Sequence, residues 1–504
     1  MSKKKKGRRE ESKLRQMTLS KILLSFFSSS PSSLSSLSSY MLPVIAIFDV
    51  GKTNKKVFLF DQRYEIVWEQ SEQFVEVMDE DGDPCEDLHG LTEWVLQTLD
   101  AVLTLPQFDV RAINVTTYGA SFVYIDREGK PIGPLYNYLK PFPDALRDRF
   151  LADYGPLDAL SLQTASPWLG SLNSGLQLYR LKHERPADFE RVAFALHLPQ
   201  YVSYLITKWP VAELTSVGCH TMLWDFAKHD YHDWVAQEGL LDKLSHVAPA
   251  DQAVATYLPQ AGRNVLVGVG LHDSSAALIP YLASFREPFV LLSTGTWCIS
   301  LNPFTDEHGP AGRLTPDELR QDCLCYMQYE GKPVKASRLF AGYEHEQQSK
   351  RLAAHFDVPV DAYKQVAYEA ERAERLRRTN AAAVLFSERD LNQFADYETA
   401  YHQLLLDLMA AQVRSTALVF PGGDANSRAV PRIFVDGGFS HNPLYMNLLA
   451  ESFPHVEVWA ASVAQATALG AALAFHPQWN PLSVTTSLIT LTHYTPVNKG
   501  QGAE

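Results

Sequence analysis

The sequence predicts an α/β protein with two domains, and three observations lead to that prediction. Its 504 residues exceed what one compact core usually organises. From Met41 onward, short runs rich in Val, Ile and Phe alternate with helical periodicity, a pattern typical of sheets covered by helices. Two similar segments, 48–61 (FDVGKTNKKVFLFD) and 291–301 (LLSTGTWCISL), each place a small polar turn between apolar strands.

Composition excludes several classes of protein. No apolar run approaches the ~18 residues of a membrane-spanning helix, so no membrane partner is expected. The net charge of the whole chain is −13. Residues 1–40 have a net charge of +7, so the rest of the chain has a net charge of −20. Nucleic acid is therefore not an expected partner. Five cysteines cannot form a disulfide framework in a chain of this length, which favours a reducing, cytoplasmic location.

Residues 1–40 differ in composition from the rest. They contain six lysines, three arginines and, within 28–39, nine serines. The apolar patch ILLSFF at 22–27 is shorter than the apolar region of a secretory signal. We expect a disordered extension or an upstream start that precedes Met41. A transit peptide is the alternative that this composition leaves open.

The elements of the first domain follow in order. A β-hairpin is expected first, from VIAIFDV (44–50) and KVFLFD (56–61) around the turn GKTNK. VRAINVTTYG (110–119) and NVLVGVG (264–270) predict two further strands. SGLQLYRLKHERP (174–186) predicts a helix that ends before its proline.

The second domain repeats the strand–turn–strand pattern at FVLLSTGTWCISL (289–301). A long apolar-faced helix is expected at 400–420, followed by the strand RIFVDGG (432–438). NPLYMNLLAESF (442–453) predicts a helix with Asn442 as its N-cap.

The two polar turns have the composition of anion-binding loops. Gly51 and Gly295 allow close approach of backbone N–H groups to a ligand. Threonine hydroxyls add donors at Thr53, Thr294 and Thr296. Ordinary hairpin turns are the alternative for each loop taken singly. The occurrence of two such loops in one chain favours nucleotide phosphate.

VGVGLHDSSAAL (267–278) places a carboxylate between a buried strand and a small-residue helix. Asp273 at that position can accept a hydroxyl proton during phosphoryl transfer, and we expect the helix dipole to keep it ionised. Helix capping by Asp273 or Ser274 is the alternative. His272 is expected to be packed or to face substrate, since no second ligand stands at metal spacing. Asp49, at a strand end, can hold magnesium through water.

Taken together, FDVGKTNKK, GLHDSSAA, LSTGTW and VDGGFSHNPL resemble the FGGY carbohydrate kinase family of the actin/hexokinase/Hsp70 superfamily. The resemblance covers roughly 44–475, and the HD pair looks like the L-fuculose and L-rhamnulose kinase branch. It implies two actin-like ATPase (ribonuclease H-like) domains flanking a deep cleft. The implied division is 41–283 and 286–480, with 481–504 as a tail.

The resemblance also implies ATP and Mg²⁺ as cofactors, and a role for each matching residue. Asp273 matches the catalytic base and Asp49 the magnesium-binding residue. Residues matching the two phosphate loops are Gly51, Thr53, Asn54, Ser293, Thr294, Gly295 and Thr296. Those matching the adenosine segment are Gly437, Gly438 and Asn442. Residues implied in sugar binding are Ser121, Glu86 and His272.

Three positions depart from the family pattern. Lys52 stands where a small residue is usual, and contact with phosphate or with solvent are both open. Ser121 occupies a place where the fuculose and rhamnulose branch has Asp, which predicts a different sugar preference. Phe439 replaces a third glycine. Glu86 lies in an acidic stretch that is equally consistent with a solvated loop.

The resemblance implies ATP-dependent phosphorylation of a ketose such as L-fuculose or L-rhamnulose, or of a related ketose or polyol. A non-catalytic or chaperone-like ATP-binding protein of the same superfamily is the alternative. Asp273 favours the kinase, because a binding protein needs no base there. A homodimer is compatible with the sequence, which does not fix the oligomeric state.

Overall fold

The computed structural model describes residues 41–257, 264–304, 314–379, 385–423, 429–463, 465–484 and 488–496. The extension expected at 1–40 and the last residues of the expected tail lie outside these ranges. Within the described residues, no helix is both long enough and apolar enough to cross a bilayer.

The first half of the chain alternates strands and helices up to the helix that carries Asp273. Its strands are β1 (Leu42–Val50), β2 (Lys55–Asp61), β3 (Ile66–Glu72), β4 (Val77–Met78), β5 (Pro84–Cys85), β6 (Phe108–Thr117), β7 (Phe122–Ile125), β8 (Phe194–His197), β9 (Ala212–Glu213), β10 (Trp224–Asp225), β11 (Asp230–Tyr231), β12 (Val247–Ala248), β13 (Ala253–Tyr257), β14 (Val265–Gly268) and β15 (Leu271–His272). Its helices are α1 (Leu88–Leu103), α2 (Asp144–Tyr154), α3 (Leu157–Gln163), α4 (Ser174–Glu184), α5 (Pro186–Arg191), α6 (Leu198–Thr207), α7 (Leu214–Val217), α8 (Asp233–Gln237) and α9 (Asp273–Ser284).

The second half alternates in the same way. Its strands are β16 (Phe289–Thr294), β17 (Cys298–Asn302), β18 (Cys323–Met327), β19 (Pro333–Leu339), β20 (Arg432–Gly437), β21 (Glu457–Ser462) and β22 (Thr490–Tyr494). Its helices are α10 (Pro316–Arg320), α11 (Ala341–Phe356), α12 (Ala370–Thr379), α13 (Tyr397–Ala417), α14 (Pro443–Ser452), α15 (Ala466–Ala474) and α16 (His476–Trp479).

Two seven-stranded sheets organise the described residues. The first has the order β13–β14–β6–β1–β2–β3, with β15 pairing on β6. The second has the order β18–β19–β17–β16–β20–β21–β22. The antiparallel hairpins β1–β2 and β16–β17 confirm the two strand–turn–strand segments expected from the sequence. Strand β1 is buried along nearly its whole length, which explains its continuous apolar sequence.

Helices α9 and α15 connect the two halves at close range. A Cβ atom on Gly470 would lie 1.8 Å from the carbonyl oxygen of Ala276, so only glycine allows this approach. Around the crossing, buried side chains form one core. It includes Ile45, Phe58 and Leu291 of the two sheets and Ala468 of α15. The crossing therefore fixes the N-terminus of α9 relative to β1.

Two expectations about boundaries require revision. The long helix α13 begins at Tyr397 rather than at 400, because Asp396 caps it by accepting a hydrogen bond from Thr399 N at 2.7 Å. Part of the stretch expected as a tail, Thr490–Tyr494, forms strand β22 at the edge of the second sheet. The N-cap role of Asn442 is confirmed, since its Oδ1 accepts from Tyr445 N at 3.1 Å.

Candidate active site

Asp273 is the first residue of α9, directly after the short strand β15. Its Oδ1 accepts a hydrogen bond from Ser274 N at 2.6 Å. His272, not Asp273 or Ser274, occupies the N-cap position, and its side chain makes no capping bond. The capping alternative is therefore wrong for this helix. The Asp273 side chain keeps 30% exposure, enough for a ligand to reach it.

Burial is the main cause of the shifted pKa of Asp273. Its pKa is raised from 3.8 to about 6 by burial, against the lowering effect of the hydrogen bonds from Ser274. The stabilising effect of the helix dipole on the ionised form of Asp273 stays a prediction. A carboxylate with a pKa near 6 is a stronger base than an ordinary aspartate and remains mostly ionised at pH 7.

Asp49 lies near the end of β1, and its Oδ2 accepts a hydrogen bond from Thr467 Oγ1 at 2.8 Å. The pKa of Asp49 is raised to about 6, mainly by burial and also by the negative charge of Asp273, against the lowering effects of the Thr467 hydrogen bond and of Lys56. The fold thus brings together the two carboxylates that the sequence singled out, one from each side of β6.

The first loop closes on itself, because Gly51 N donates to Asn54 O at 3.0 Å. Thr53 at its tip is exposed, so its hydroxyl is accessible to a ligand. Asn54 instead uses Oδ1 to accept from Gln73 Nε2 at 2.7 Å.

Lys52 is partly exposed, and its ammonium group pairs with two carboxylates. Its Nζ lies 3.1 Å from Glu76 and 3.7 Å from Glu86. Glu86 is 4% exposed and also pairs with Lys55 at 2.5 Å. The solvated-loop alternative for Glu86 is therefore wrong. A sugar would have to compete with two lysines for this carboxylate.

The second loop is tied to its surroundings on both sides. Thr294 Oγ1 donates to Asp436 O at 2.6 Å and accepts from Phe439 N at 3.0 Å. Ser293, in the same strand, is half-buried, whereas Gly295 and Thr296 are exposed. The hydroxyl of Thr294 therefore serves the fold, which leaves Gly295 and Thr296 as the accessible part of the loop.

The expected adenosine segment adjoins that loop. Gly437 has φ +87°, and a Cβ there would lie 2.0 Å from Thr294 O, so glycine is required. Gly438 follows it without such a contact closer than 4.0 Å. Asn442 already donates from Nδ2 to Tyr401 Oη at 2.8 Å, in addition to its capping bond. The ring of Phe439 is buried and stacks on Tyr445 at 4.3 Å.

His272 is packed beside Asp273. It is 3% exposed, its Nε2 lies 3.3 Å from Asp273 Oδ1, and burial lowers its pKa to about 4, so it is neutral at pH 7. A Cβ on Gly119 would lie 2.5 Å from the His272 ring. Ser121 is 1% exposed, and its Oγ has no hydrogen-bond partner within the described part of the chain.

Several other residues lie near Asp273, two of them within TSVGCHTMLWDF (215–226), a segment that resembles a cleft segment of the FGGY family. Cys219 Sγ lies 3.5 Å from His272 Nε2, and the rings of His220 and Tyr326 lie 6.4 and 5.8 Å from the His272 ring. Arg338 lies 5.2 Å from the Trp297 ring and pairs with Asp322. These neighbours come from three segments: Cys219 and His220 follow α7, Tyr326 lies in β18, and Arg338 lies in β19.

The donors present suit Mg²⁺. The described residues contain no cluster of three or more His, Cys, Asp or Glu arranged to hold a metal. Mg²⁺ commonly takes one or two protein carboxylates and completes its shell with water and phosphate oxygens. Asp49 could supply such a carboxylate, and the nearby negative charge of Asp273 contributes to its raised pKa, although burial is the larger cause.

The two sheets, their matching hairpin loops and the paired carboxylates define a two-domain protein of the actin-like ATPase fold, with a cleft between its domains. The chain belongs to the FGGY family of carbohydrate kinases. Residues 44–280 match the N-terminal domain of that family, and residues 286–482 match the carbohydrate kinase FGGY C-terminal domain.

Curated relatives include the rhamnulokinase of Pectobacterium atrosepticum, 28% identical over 231 residues that cover 44% of each chain. The rhamnulokinase of Mannheimia succiniciproducens is 25% identical over 54% of this chain and 57% of its own length. The chain thus aligns with about half the length of these relatives.

Solved structures share the fold over most of the chain. A carbohydrate kinase from Novosphingobium aromaticivorans has a TM-score of 0.73 at 23% identity, covering 91% of this chain and 95% of that one. The ligand-bound xylulose kinase from Lactobacillus acidophilus has a TM-score of 0.71 at 16% identity, with 91% and 94% covered.

Proposed function

We propose that this protein transfers the γ-phosphoryl group of ATP to a hydroxyl group of a ketose. The observation that carries the proposal is the proximity of Asp273, at the start of α9, to Asp49, at the end of β1. Asp273 is partly exposed and has a pKa near 6, which suits a general base. A protein that only binds ATP has no use for such a base.

In the proposed reaction, Asp273 accepts the proton of the sugar hydroxyl while the sugar oxygen forms a bond to the γ-phosphorus of ATP. The bond between that phosphorus and the β–γ bridging oxygen breaks, and ADP leaves with the electron pair. His272 stays neutral and beside Asp273, so no positive charge competes for the proton.

The two loops are proposed to hold the phosphates of ATP. The exposed hydroxyls of Thr53 and Thr296 supply donors, whereas the N–H groups of Gly51 and Gly295 already donate within their loops, to Asn54 O at 3.0 Å and Trp297 O at 2.9 Å. Ser293, Thr294 and Asn54 are proposed to shape these loops, and Gly437, Gly438 and Asn442 to shape the adenosine site. Mg²⁺, when bound near Asp49, neutralises phosphate charge.

A neutral sugar is the proposed substrate: a ketose such as L-fuculose or L-rhamnulose, or a related ketose or polyol, with a preference that Ser121 is expected to alter. The names of the curated relatives support a ketose. Burial keeps His272 and His220 uncharged, because it lowers the pKa of each, so the wall beside the base offers hydrogen bonds rather than charge. Ser121 and His272 are proposed to shape sugar preference, and Glu86 to act through its lysine partners.

An ATP-consumption assay against a panel of ketoses and polyols tests the function. We expect one ketose to stimulate ADP formation, with a phosphorylated sugar as the second product by mass spectrometry. ATP binding without stimulation by any acceptor would support a non-catalytic ATP-binding protein instead.

We further propose domains at 41–283 and 286–480 and a cytoplasmic location, and the homodimer stays a prediction.

A further inference from the structure

Three residues connect a fully buried carboxylate with the backbone that carries Asp273. Glu213 ends β9, Thr215 lies in α7, and His272 ends β15. Thr215 Oγ1 donates to Glu213 Oε2 at 2.5 Å. The same hydroxyl accepts a hydrogen bond from His272 N at 3.0 Å.

The direction of these bonds follows from the donors available. A hydroxyl has one proton, and an ionised carboxylate can only accept. Glu213 therefore accepts a hydrogen bond from the Thr215 hydroxyl. A lone pair of Thr215 Oγ1 then accepts the N–H of His272. Thr215 N also donates to Glu213 Oε2, at 2.9 Å, so one carboxylate oxygen fixes both groups of Thr215.

The segment that these bonds hold is otherwise tied by a short strand and by two side chains, since Gly270 N donates to Asn114 Oδ1 at 3.1 Å and Gly270 O accepts from Gln200 Nε2 at 2.8 Å. Strand β15 is two residues long and pairs only with Thr116 and Thr117 of β6. Gly270, just before it, has φ +85°. The hydrogen bond to Thr215 therefore constrains the turn from which α9 and Asp273 begin.

We infer that Glu213 and Thr215 are positioning residues for Asp273, acting through the backbone N–H of His272. This inference rests on the proposed function. Glu213 is 0% exposed, and its Oε1 has no hydrogen-bond partner within the described residues. Leaving a carboxylate unsolvated is costly. Burial raises the pKa of Glu213 to about 7, and its hydrogen bonds with Thr215 offset part of that effect.

The central test replaces Thr215 and compares a matched control. Thr215→Val removes the hydroxyl, and Thr215→Ser restores it. Thr221→Val is the control, because the Thr221 hydroxyl also donates to a carbonyl (Val217 O, 2.5 Å) and accepts from an N–H (Leu223 N, 3.1 Å). Both threonines are buried in the same short stretch, but only Thr215 bonds to His272.

We expect Thr215→Val to lower kcat roughly 10- to 100-fold, the effect of misplacing a catalytic group by about 1 Å. The KM for ATP should change little, and Thr215→Ser should recover most of kcat. Thr221→Val should lower the melting temperature to a similar extent while kcat stays near wild type. Equal kcat values for Thr215→Val and Thr221→Val would overturn the inference.

The pH profile supplies a readout that a merely structural role does not move. Hydrogen bonds from Ser274 lower the pKa of Asp273, so a loosened turn should shift the acid limb of kcat to higher pH in Thr215→Val. The other titratable groups around Asp273 are the same in the threonine variants: Asp49, His272, Tyr138, Cys219 and Tyr326, together with Glu213, whose pKa burial raises to about 7. An unmoved limb would count against positioning.

Hydrogen exchange separates this inference from the proposed function. The amide of His272 should lose protection in Thr215→Val and keep it in Thr221→Val, whether or not a sugar is phosphorylated. Retained protection contradicts the chain of bonds, whereas a wild type without turnover contradicts the function. If Thr215→Val does not fold, Glu213→Gln replaces it, with a smaller effect in the same direction, since an amide oxygen is a weaker acceptor.

Discussion

Thr467 Oγ1 donates a hydrogen bond of 2.8 Å to Asp49 Oδ2, although 418 residues separate them in the chain. Thr467 lies in the first turn of α15, which crosses α9 at Gly470. One helix of the second half thus stabilises the ionised form of the carboxylate proposed to bind magnesium, while it also packs on the helix that carries Asp273.

Replacing Thr467 should therefore affect nucleotide binding. In Thr467→Val, loss of a hydrogen bond to a charged group, about 1.5–3 kcal/mol, should raise the KM for MgATP roughly tenfold or more. The pKa of Asp49 should rise further, so the deficit should grow as the pH falls. Steady-state kinetics at several pH values measures this. Thr467→Ser keeps the hydroxyl and is the control; equal defects in both variants would contradict a role for the hydrogen bond.

Asp273→Asn should remove the proposed base with little change in shape. Turnover should fall by roughly 10²–10⁴-fold, the usual contribution of general acid–base catalysis. ATP affinity should stay near wild type. Asp144→Asn is a matched control, because Asp144 is also the first residue of its helix but is exposed and outside the site. Unchanged turnover in Asp273→Asn would show that the base lies elsewhere.

The pH dependence of stability at Asp273 has a definite sign. The folded-state pKa of about 6 lies above the ordinary value of 3.8, so the folded protein binds the proton more tightly. Its contribution to stability is present below pH 3.8 and is lost as the pH rises through 6. At pH 8 the melting temperature of Asp273→Asn should thus equal or exceed that of the wild type; a clear decrease would contradict this assignment.

Activity should follow the ionised base. We expect kcat to fall as the pH decreases through about 6, because protonated Asp273 cannot accept the hydroxyl proton. A kcat profile between pH 5 and 8 measures the limb, with the melting temperature followed in parallel to exclude unfolding. A flat profile across this range would argue against a carboxylate base with a raised pKa.

Glu86→Gln should act mainly on stability. The mutation leaves the buried ammonium of Lys55, 1% exposed, without its carboxylate, and breaking a buried pair costs about 3–5 kcal/mol. Thermal unfolding should show a decrease of several degrees. The control is Glu76→Gln, since Glu76 is 47% exposed and its pair with Lys52 should contribute at most ~1 kcal/mol. Similar stability losses would contradict the buried-pair assignment.

Ser121→Asp tests the departure from the family pattern. A serine can make one or two moderate hydrogen bonds, whereas a carboxylate accepts stronger ones. We expect the ranking of ketoses by kcat/KM to change, although burial of the carboxylate will also lower stability. Ser121→Ala, which removes only the hydroxyl, is the control. A ranking unchanged in both variants would mean that Ser121 does not contact the sugar.

Local pattern was sufficient to predict much of the fold. The hairpins β1–β2 and β16–β17 and the cap of α14 by Asn442 depend on contacts between near neighbours in sequence. Helix α11 (Ala341–Phe356) was not predicted from the sequence. This helix has many charged and polar residues and a low apolar content. It is held by packing on α13 and the second loop. Such tertiary support leaves no local signal.

The sequence by itself determined the two-domain α/β class, the two glycine–threonine turns and the identity of the two aspartates proposed for chemistry. Only the tertiary structure decided how these groups behave. Burial raises the pKa of Asp273, and two lysines form ion pairs with Glu86. The Thr294 hydroxyl donates a hydrogen bond to the backbone of Asp436. The reason is physical: ionisation and hydrogen bonding depend on every group within a few ångströms, and most of those neighbours come from distant parts of the chain.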